Sequence, residues 1–471
     1  IRIYFIELAK GLASAKDNYD RSEEVDDCVH SNFVETIIPN TPPLTVKEVS
    51  DINKCKELLG WEEELNWKRI PGTVNDAVDK FKFVNEENQI FVKGFAKIDV
   101  NAETIISYLM HYKSNERNRI HVEWNGNVKR SWSFDYNSHT CHISSDVKSP
   151  SPMVNRSFSG VQIWERDFEG GPNTFAIAML PDEQQSGGSK TTASGAVIAS
   201  TTAMIIVKSL APRVSSVLLV QTTDLKIEGR LGDIINNYAS KFSLGILDQL
   251  REKFEREETT VDREMRLSFV EKMGNAPPIL QEHEHLVQDC TTLMDEYDSQ
   301  DGVSDIKQLK RPSGTGQMSM KRPTNRGFCE RSIATGRCAD IIDAPPEEIV
   351  AWWYDYNSHE RLRISKEEGN PARITLKNDG RSQLIATIKD VPFPLNTREF
   401  VTRMIWWKDM TSGAHYVAIV SVSDIIDYGL RMKSVRGYTR NLAMIEPFGD
   451  IGEDGRQHQS KVIYTQILDA G

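Results

Sequence analysis

A phrase occurs twice in this chain, about 240 residues apart, and no other feature limits its architecture so strongly. "SPSPMVNRSF" runs from Ser149 to Phe158 and "VPFPLNTREF" from Val391 to Phe400. Each carries Pro-x-Pro, an Asn, an Arg and a closing Phe, with a Trp six residues beyond. The likeness extends on both sides. "VNAETIISYLMHYKSNERNRI", from Val100, matches "APPEEIVAWWYDYNSHERLRI", from Ala344, at an offset of 244. Arg156, Phe158, Trp164 and Asp167 match Arg398, Phe400, Trp406 and Asp409 at 242, and Ser215 to Asp224 matches Ser460 to Asp469 at 245. "FVETIIPNTPP" from Phe33 resembles "FVEKMGNAPP" from Phe269, and Cys55 then pairs with Cys290. Small drifts in offset are what loop insertions produce. Solenoid units run about 20–50 residues, so a period this long predicts tandem domains joined by helical connectors.

The expected organisation is 1–30, the closing helix of a preceding copy; 31–60, a helical connector; 61–258, one complete domain; 259–305, a second connector; and 306–471, a second domain that stops before its own closing helix. A chain that opens at Ile1 without an initiator Met is expected to be a piece of a longer one.

Within one copy, "ETIISYLMHY" places Ile105, Ile106, Leu109 and Met110 on a helical stripe, with Asn101 as its N-cap. Short β-branched and aromatic runs follow: "RIHVEW", "VKRSWSFDY", "HTCHIS", "FSGVQIWERD", "NTFAIAML", "MIIVKSL" and "SSVLLVQTTD". Separated by turn signals, they predict an antiparallel sheet of about seven or more strands. The last element, "GDIINNYASKFSLGILDQLREKFERE", spaces Ile235, Ala239, Phe242, Ile246, Leu250 and Phe254 by three and four, with Ile234 and Tyr238 adjacent. That is a long amphipathic helix, suited to cover a curled sheet. A curved sheet gripping a helix encloses an apolar pocket wherever side chains do not fill it.

Net charge is −11, which argues against nucleic acid as a partner. Six cysteines without a Cys-x-x-Cys pair suit a reducing, cytoplasmic setting. "TTASGAVIASTTAMIIV", from Thr191, lacks charge but is too short and polar to span a bilayer, and the repeat makes it a loop plus a strand.

The phrase proline, spacer, Asn, Arg, acid, Phe, Val resembles the central strand of START domains, the steroidogenic acute regulatory protein-related lipid transfer domains; "PFPLNTREFV" fits it closely. "SSVLLVQTTDLKIEGRLGDIINNYASKFSLGILDQLREKF" is similar to that family's closing strand and lid helix. The resemblance covers about Trp61–Glu257 and Lys310–Gly471. It implies a helix-grip α+β fold in tandem: a curved antiparallel sheet wrapped around a long C-terminal helix. It also implies one lipid held non-covalently under that helix, no cofactor, no metal and no enzymatic step, with transient contact to a membrane surface. Two departures stand out. Ser157 replaces the acid after Arg156, and the position six beyond that Arg, a buried arginine in many members, is Gln162 in the first copy and Met404 in the second. Arg403, five beyond Arg398, should point to the other sheet face.

The candidate lipid-contacting residues are Arg156, Phe158, Gln162, Trp164, Ile235, Tyr238, Phe242 and Ile246 in the first copy, and Arg398, Glu399, Phe400, Met404 and Trp406 in the second. Against this stand plainer roles: arginine stems packed on Trp164 or Trp406, and tryptophans that simply fill the core. An alternative is a helix-grip enzyme of the polyketide cyclase type, which would need a polar pair in the pocket, such as His142 with Asp135 or Glu123. A third is a tandem scaffold with its cavity collapsed on Trp164 and Phe158. "SGGSKTT" (Ser186 to Thr192) lacks phosphate-loop spacing, and "HEH" (His283 to His285) near Cys290 reads as a solvated connector helix. Lys310-Arg311 align with Lys68-Arg69 and mark the second domain's first edge.

Overall fold

The computed structural model describes residues 26–60, 66–70, 78–87, 89–112, 114–125, 130–134, 139–149, 153–182, 191–192, 195–227, 243–299, 306–310, 316–321, 333–391, 395–429, 433–451 and 457–469. The chain divides into two units, Ile1–Ile70 with Ala77–Glu255, and Pro71–Asp76 with Arg256–Gly471.

Among the described residues the first unit forms a nine-stranded sheet. Its strands are β1 (Lys68–Arg69), β2 (Val78–Val84), β3 (Ile90–Ile98), β4 (Arg130–Phe134), β5 (Thr140–Val147), β6 (Arg156–Arg166), β7 (Thr174–Pro181), β8 (Val197–Ala211) and β9 (Val214–Asp224). They lie in the order β1-β2-β3-β9-β8-β7-β6-β5-β4. Pairing is antiparallel, apart from a short parallel rung between Arg156–Phe158 and Val197–Ala199. The uncharged stretch after Thr191 is therefore the start of β8, as the repeat required, and among the described residues no helix is long and apolar enough to cross a membrane.

Alternation sorts the side chains onto two faces. Val92, Ala96, Ile98, Trp164, Phe175, Ile177, Ala203, Ile205, Val217 and Leu219 share one cluster with Ile105, Ile106 and Leu109 of helix α2 (Ala102–Met110) and with Leu244, Leu247 and Leu250 of the last helix. The opposite face presents Phe91, Ile163, Ala176, Ala178, Met204 and Val220 to Ile52, Cys55 and Leu59, in or just beyond helix α1 (Val46–Leu58). The connector-region helix thus covers the back of the sheet, and the Cys55 Sγ donates to the Ala203 carbonyl at 3.2 Å. Both faces being buried explains strands that read as nearly continuous apolar runs.

The second unit repeats this with ten strands: β10 (Lys307–Gln308), β11 (Gln317–Lys321), β12 (Thr335–Ile342), β13 (Ala372–Asn378), β14 (Ser382–Lys389), β15 (Arg398–Lys408), β16 (His415–Ser421), β17 (Val435–Arg436), β18 (Tyr438–Ile451) and β19 (Gln457–Asp469). Their order is β10-β11-β12-β19-β18-β16-β15-β14-β13, with β17 beside β15. The two-residue edge strand is Lys307–Gln308, three residues before the aligned Lys310-Arg311. Cys290 is fully buried between its helix and Ala418, Val420 and Leu442, so the helix that follows "HEH" has one face in the core, and His283 itself is buried.

One expectation fails locally. "RIHVEW" is not a strand but the second half of helix α3 (Asn115–Asn125). Ser114 Oγ accepts from Arg117 N at 3.1 Å, and the buried Asp26 carboxylate accepts from Asn115 N at 3.1 Å and Glu116 N at 3.0 Å. A carboxylate on the first amides of a helix stabilises it through hydrogen bonds and the helix dipole. The second unit builds the same joint: Asp262 accepts from His359 N at 2.9 Å and Glu360 N at 3.0 Å, at the start of a helix spanning His359–Glu367. In each copy an arginine of this helix closes the preceding one. Arg117 donates to the carbonyls of Tyr108 and Leu109, and Arg361 to those of Trp352 and Trp353.

The closing helix is described in its last part. The described part is α4 (Gly245–Phe254), preceded by a turn at Leu244 (φ −92°, ψ 0°). Leu244, Leu247 and Leu250 are the buried set, while Ile246 and Phe254 are only partly buried. Ile246, Leu250 and Phe254, four residues apart, all belong to or pack against the one cluster, as the stripe predicts, and its earlier members lie outside the described residues. The fold is α+β of the helix-grip type, in tandem.

Candidate ligand-binding face

The helix-covered face of the first sheet is built around β6. On that strand Arg156, Phe158, Gln162 and Trp164 share one parity, so they point the same way. Trp164 is 1 % exposed and sits in the core, its ring 5.7 Å from Phe33 and 4.7 Å from His139. Arg156 is buried and turned to the loops: its Nε donates to the Leu225 carbonyl at 2.8 Å and its Nη1 to that of Val154. Phe158 is half-buried.

Gln162 is the polar residue in this wall. It is 4 % exposed, and its Oε1 is buried without a hydrogen-bond donor. Its cross-strand neighbours are Cys141 on β5 and Met179 on β7. Burial pushes the Cys141 thiol up to about 12, so it is a neutral, apolar neighbour. Above the sheet, α4 presses Leu247 and Leu244 onto β3 at Gly94. A Cβ there would lie 2.5 Å from Leu247 Cδ1 and 3.0 Å from Leu244 Cδ2, so the glycine is what lets the helix approach. Ile246 is half-buried against the same cluster, whereas Ile235, Tyr238 and Phe242 lie outside the described residues.

In the second unit the counterparts divide between two faces. Met404 and Trp406 are buried on the face that carries Ile385, Val417 and Ala443. Trp406 repeats the aromatic partner of Trp164, with Phe269 5.8 Å away, but adds the Arg381 guanidinium 4.0 Å from the ring and an indole donation to the Gly380 carbonyl at 3.0 Å, whereas the Trp164 indole N–H has no hydrogen-bond partner. Phe400 lies on Gly437, where any Cβ would strike its ring at 2.4 Å. Arg398 donates through Nη1 to the Asn396 carbonyl. Glu399, by contrast, faces away from Met404. It accepts from Tyr428 Oη at 2.8 Å and pairs with Arg436 at 2.9 Å, beside a separate cluster containing Val401. Arg403 also takes the opposite face, where, after burial, its charge helps to lower the His283 pKa. Ile342, the counterpart of the fully buried Ile98, is 40 % exposed.

The polar pair considered for catalysis does not assemble on this face. His142 alternates with the inward Cys141 and Ile143, is exposed, and opens onto a cavity of about 430 Å³ on the other side of the sheet, lined in part by Lys47, Asp51 and Lys54 of α1. Glu123 pairs with Arg119 on the surface of α3, and Asp135 lies outside the described residues. Among the described residues no three His, Cys, Asp or Glu side chains converge as a metal site.

Sequence reasoning located Gln162 and Met404 but missed Cys141 and Gln383, whose place opposite them follows only from strand register.

No family model and no curated protein matches the chain. Among solved structures, it is similar to the human StarD13 lipid transfer and protein localization domain (14 % identity, 46 % of this chain and 100 % of that one, TM-score 0.32). It is also similar to a STAR-related lipid transfer protein fragment from Xanthomonas axonopodis (20 % identity, 35 % of this chain and 81 % of that one, TM-score 0.27). A further similar structure, spanning more of the chain, is the di-domain ARO/CYC BexL from the BE-7585A biosynthetic pathway (8 % identity, 80 % of this chain and 85 % of that one, TM-score 0.19).

Proposed function

We propose that each unit binds one hydrophobic lipid non-covalently on the sheet face that carries Trp164 in the first unit and Trp406 in the second, as a carrier or sensor rather than as an enzyme. The observation that carries this reading is the helix-side face of the first sheet: Leu244, Leu247 and Leu250 join one apolar cluster with its strands, seated on β3 at Gly94, and Gln162 on β6 buries a neutral amide on the same face. Arg156 is engaged with the Leu225 and Val154 carbonyls and Arg398 with that of Asn396 through Nη1, while the Arg398 Nε is buried without a partner.

The physical rationale is transfer. Each CH₂ taken out of water contributes about 0.8 kcal/mol, so an 18-carbon chain gains on the order of 14 kcal/mol from an apolar shelter. The helix that covers the face must move for entry, and its apolar side could then meet a bilayer transiently. Such a protein would work in a reducing, cytoplasmic setting. The test is transfer of a fluorescent sterol and a fluorescent phospholipid between liposomes by the full chain. Accelerated transfer of either supports the proposal; transfer at the protein-free rate for both, with no lipid bound to the protein, overturns it.

A further inference from the structure

In both units one rung of the same strand pair carries an amide and a sulfur, and the two groups have exchanged places. In the first unit Cys141 on β5 faces Gln162 on β6. In the second, Gln383 on β14 faces Met404 on β15. Two flanking positions fix the alignment: Ile143 and Trp164 lie in the first helix-side cluster, and Ile385 and Trp406 in the second. All four rung residues are buried, at 0 %, 4 %, 3 % and 0 % exposure in the order named.

Each glutamine presents a buried Oε1 that receives no hydrogen bond. For Gln383 the orientation is fixed, because its Nε2 donates to the Tyr354 carbonyl at 2.6 Å, which leaves the oxygen as the free end. A buried acceptor without a donor is costly, and native proteins retain such groups where something else meets them. A carboxylate or phosphate offers no proton to a carbonyl oxygen, whereas a hydroxyl or an amide N–H does.

We infer that the ligand of each unit carries an uncharged hydrogen-bond donor, a hydroxyl or amide N–H, which meets Gln162 Oε1 in the first unit and Gln383 Oε1 in the second. The two acceptors stand on neighbouring strands, so the donor's place differs by about one strand spacing of 4.8 Å between the copies. This inference rests on the lipid-binding reading and specifies which lipids it concerns.

The experiment uses the full chain with a diazirine-tagged octadecanol and its methyl ether, which differ only in the donor. Labelled peptides are counted separately for the two units. The alcohol is expected to label the first unit about tenfold more than the ether at equal subsaturating concentration, the effect of one such hydrogen bond. Gln162→Met, which places there the side chain the second unit carries at that rung, should remove the preference while ether labelling persists. Cys141→Gln with Gln162→Met should restore it, because the acceptor returns on the adjacent strand. Gln383→Leu should act in the same way on the second unit alone. Equal labelling of the wild type by alcohol and ether overturns the inference and leaves lipid binding standing, and that comparison needs no variant. Failure of both probes to label either unit overturns the lipid-binding reading, and this inference with it.

Discussion

Replacing Asp262 by Ala should unfasten one joint of the second unit and leave its twin intact. The Asp262 carboxylate is 2 % exposed and accepts from two backbone amides at 2.9 and 3.0 Å, with the His359 ring nitrogen at 3.2 Å. Burial alone would raise its pKa, yet the His359 side chain and the two N–H groups outweigh that and hold it below the ordinary carboxylate range. A hydrogen bond to a charged group contributes about 1.5–3 kcal/mol, and a lost N-cap costs about 0.5–2 kcal/mol. Because water re-solvates part of the freed helix end, the net loss should be about 3 kcal/mol, which is on the order of 100-fold in a local opening constant. Hydrogen exchange read by mass spectrometry resolves this by segment. Amides of His359–Glu367 should exchange roughly 100-fold faster, while those of Asn115–Asn125 keep their rate. Asp26→Ala should give the mirror result. A change below about threefold in His359–Glu367 would show that the carboxylate does not hold the helix, and the reasoning would fail.

Three further outcomes are expected. Leu247→Ala should destabilise the first unit by about 3 kcal/mol in urea unfolding, since a fully buried leucine is lost from the helix–sheet contact; a loss under about 1 kcal/mol would mean α4 is not seated there. Burial, aided by the charge of His111, lowers the His30 pKa to about 4, and burial also lowers that of His111. Folded, both bind protons less readily than the ordinary 6.5. The first unit should therefore keep its full stability above about pH 6.5 and lose about 1–2 kcal/mol, discounted for partial exposure, as pH falls towards 4. Burial also lowers the His121 pKa to about 4, so a His30→Gln, His111→Gln chain should keep a shallower slope in denaturation midpoints, and a slope left unchanged would refute the assignment. Among the described cysteines, the exposed Cys28 should react rapidly with a disulfide reagent at pH 8, whereas Cys55, Cys141 and Cys290, each pushed up to about 12 by burial, should react only on unfolding.

Much of the fold was legible because sheets buried on both faces write themselves as apolar, β-branched runs, and because the chain states its plan twice. What was not legible depended on distant partners. Helix α3 reads as a strand from Arg119 to Trp124 because the carboxylate that caps it lies 89 residues away. Cys55 and Cys290 aligned in the repeat, but their burial against the back of each sheet was not read from it, and the helix around Cys290 was expected to be solvated. Of the candidate site, Gln162 and Met404 were marked by the family resemblance, at the position six beyond the strand's first arginine. The opposite faces of Glu399 and Met404 follow from alternation, whereas the exchange with Cys141 and Gln383 needed the register.

The central claim is that the Trp164 face of the first sheet and the Trp406 face of the second each shelter a hydrophobic guest. Native mass spectrometry of the full chain purified from a lipid-containing host measures this directly. The account predicts protein masses raised by one or two lipid equivalents, which are lost on denaturation and regained on incubation with liposomes. A chain that carries only its own mass, before and after that incubation, would contradict it.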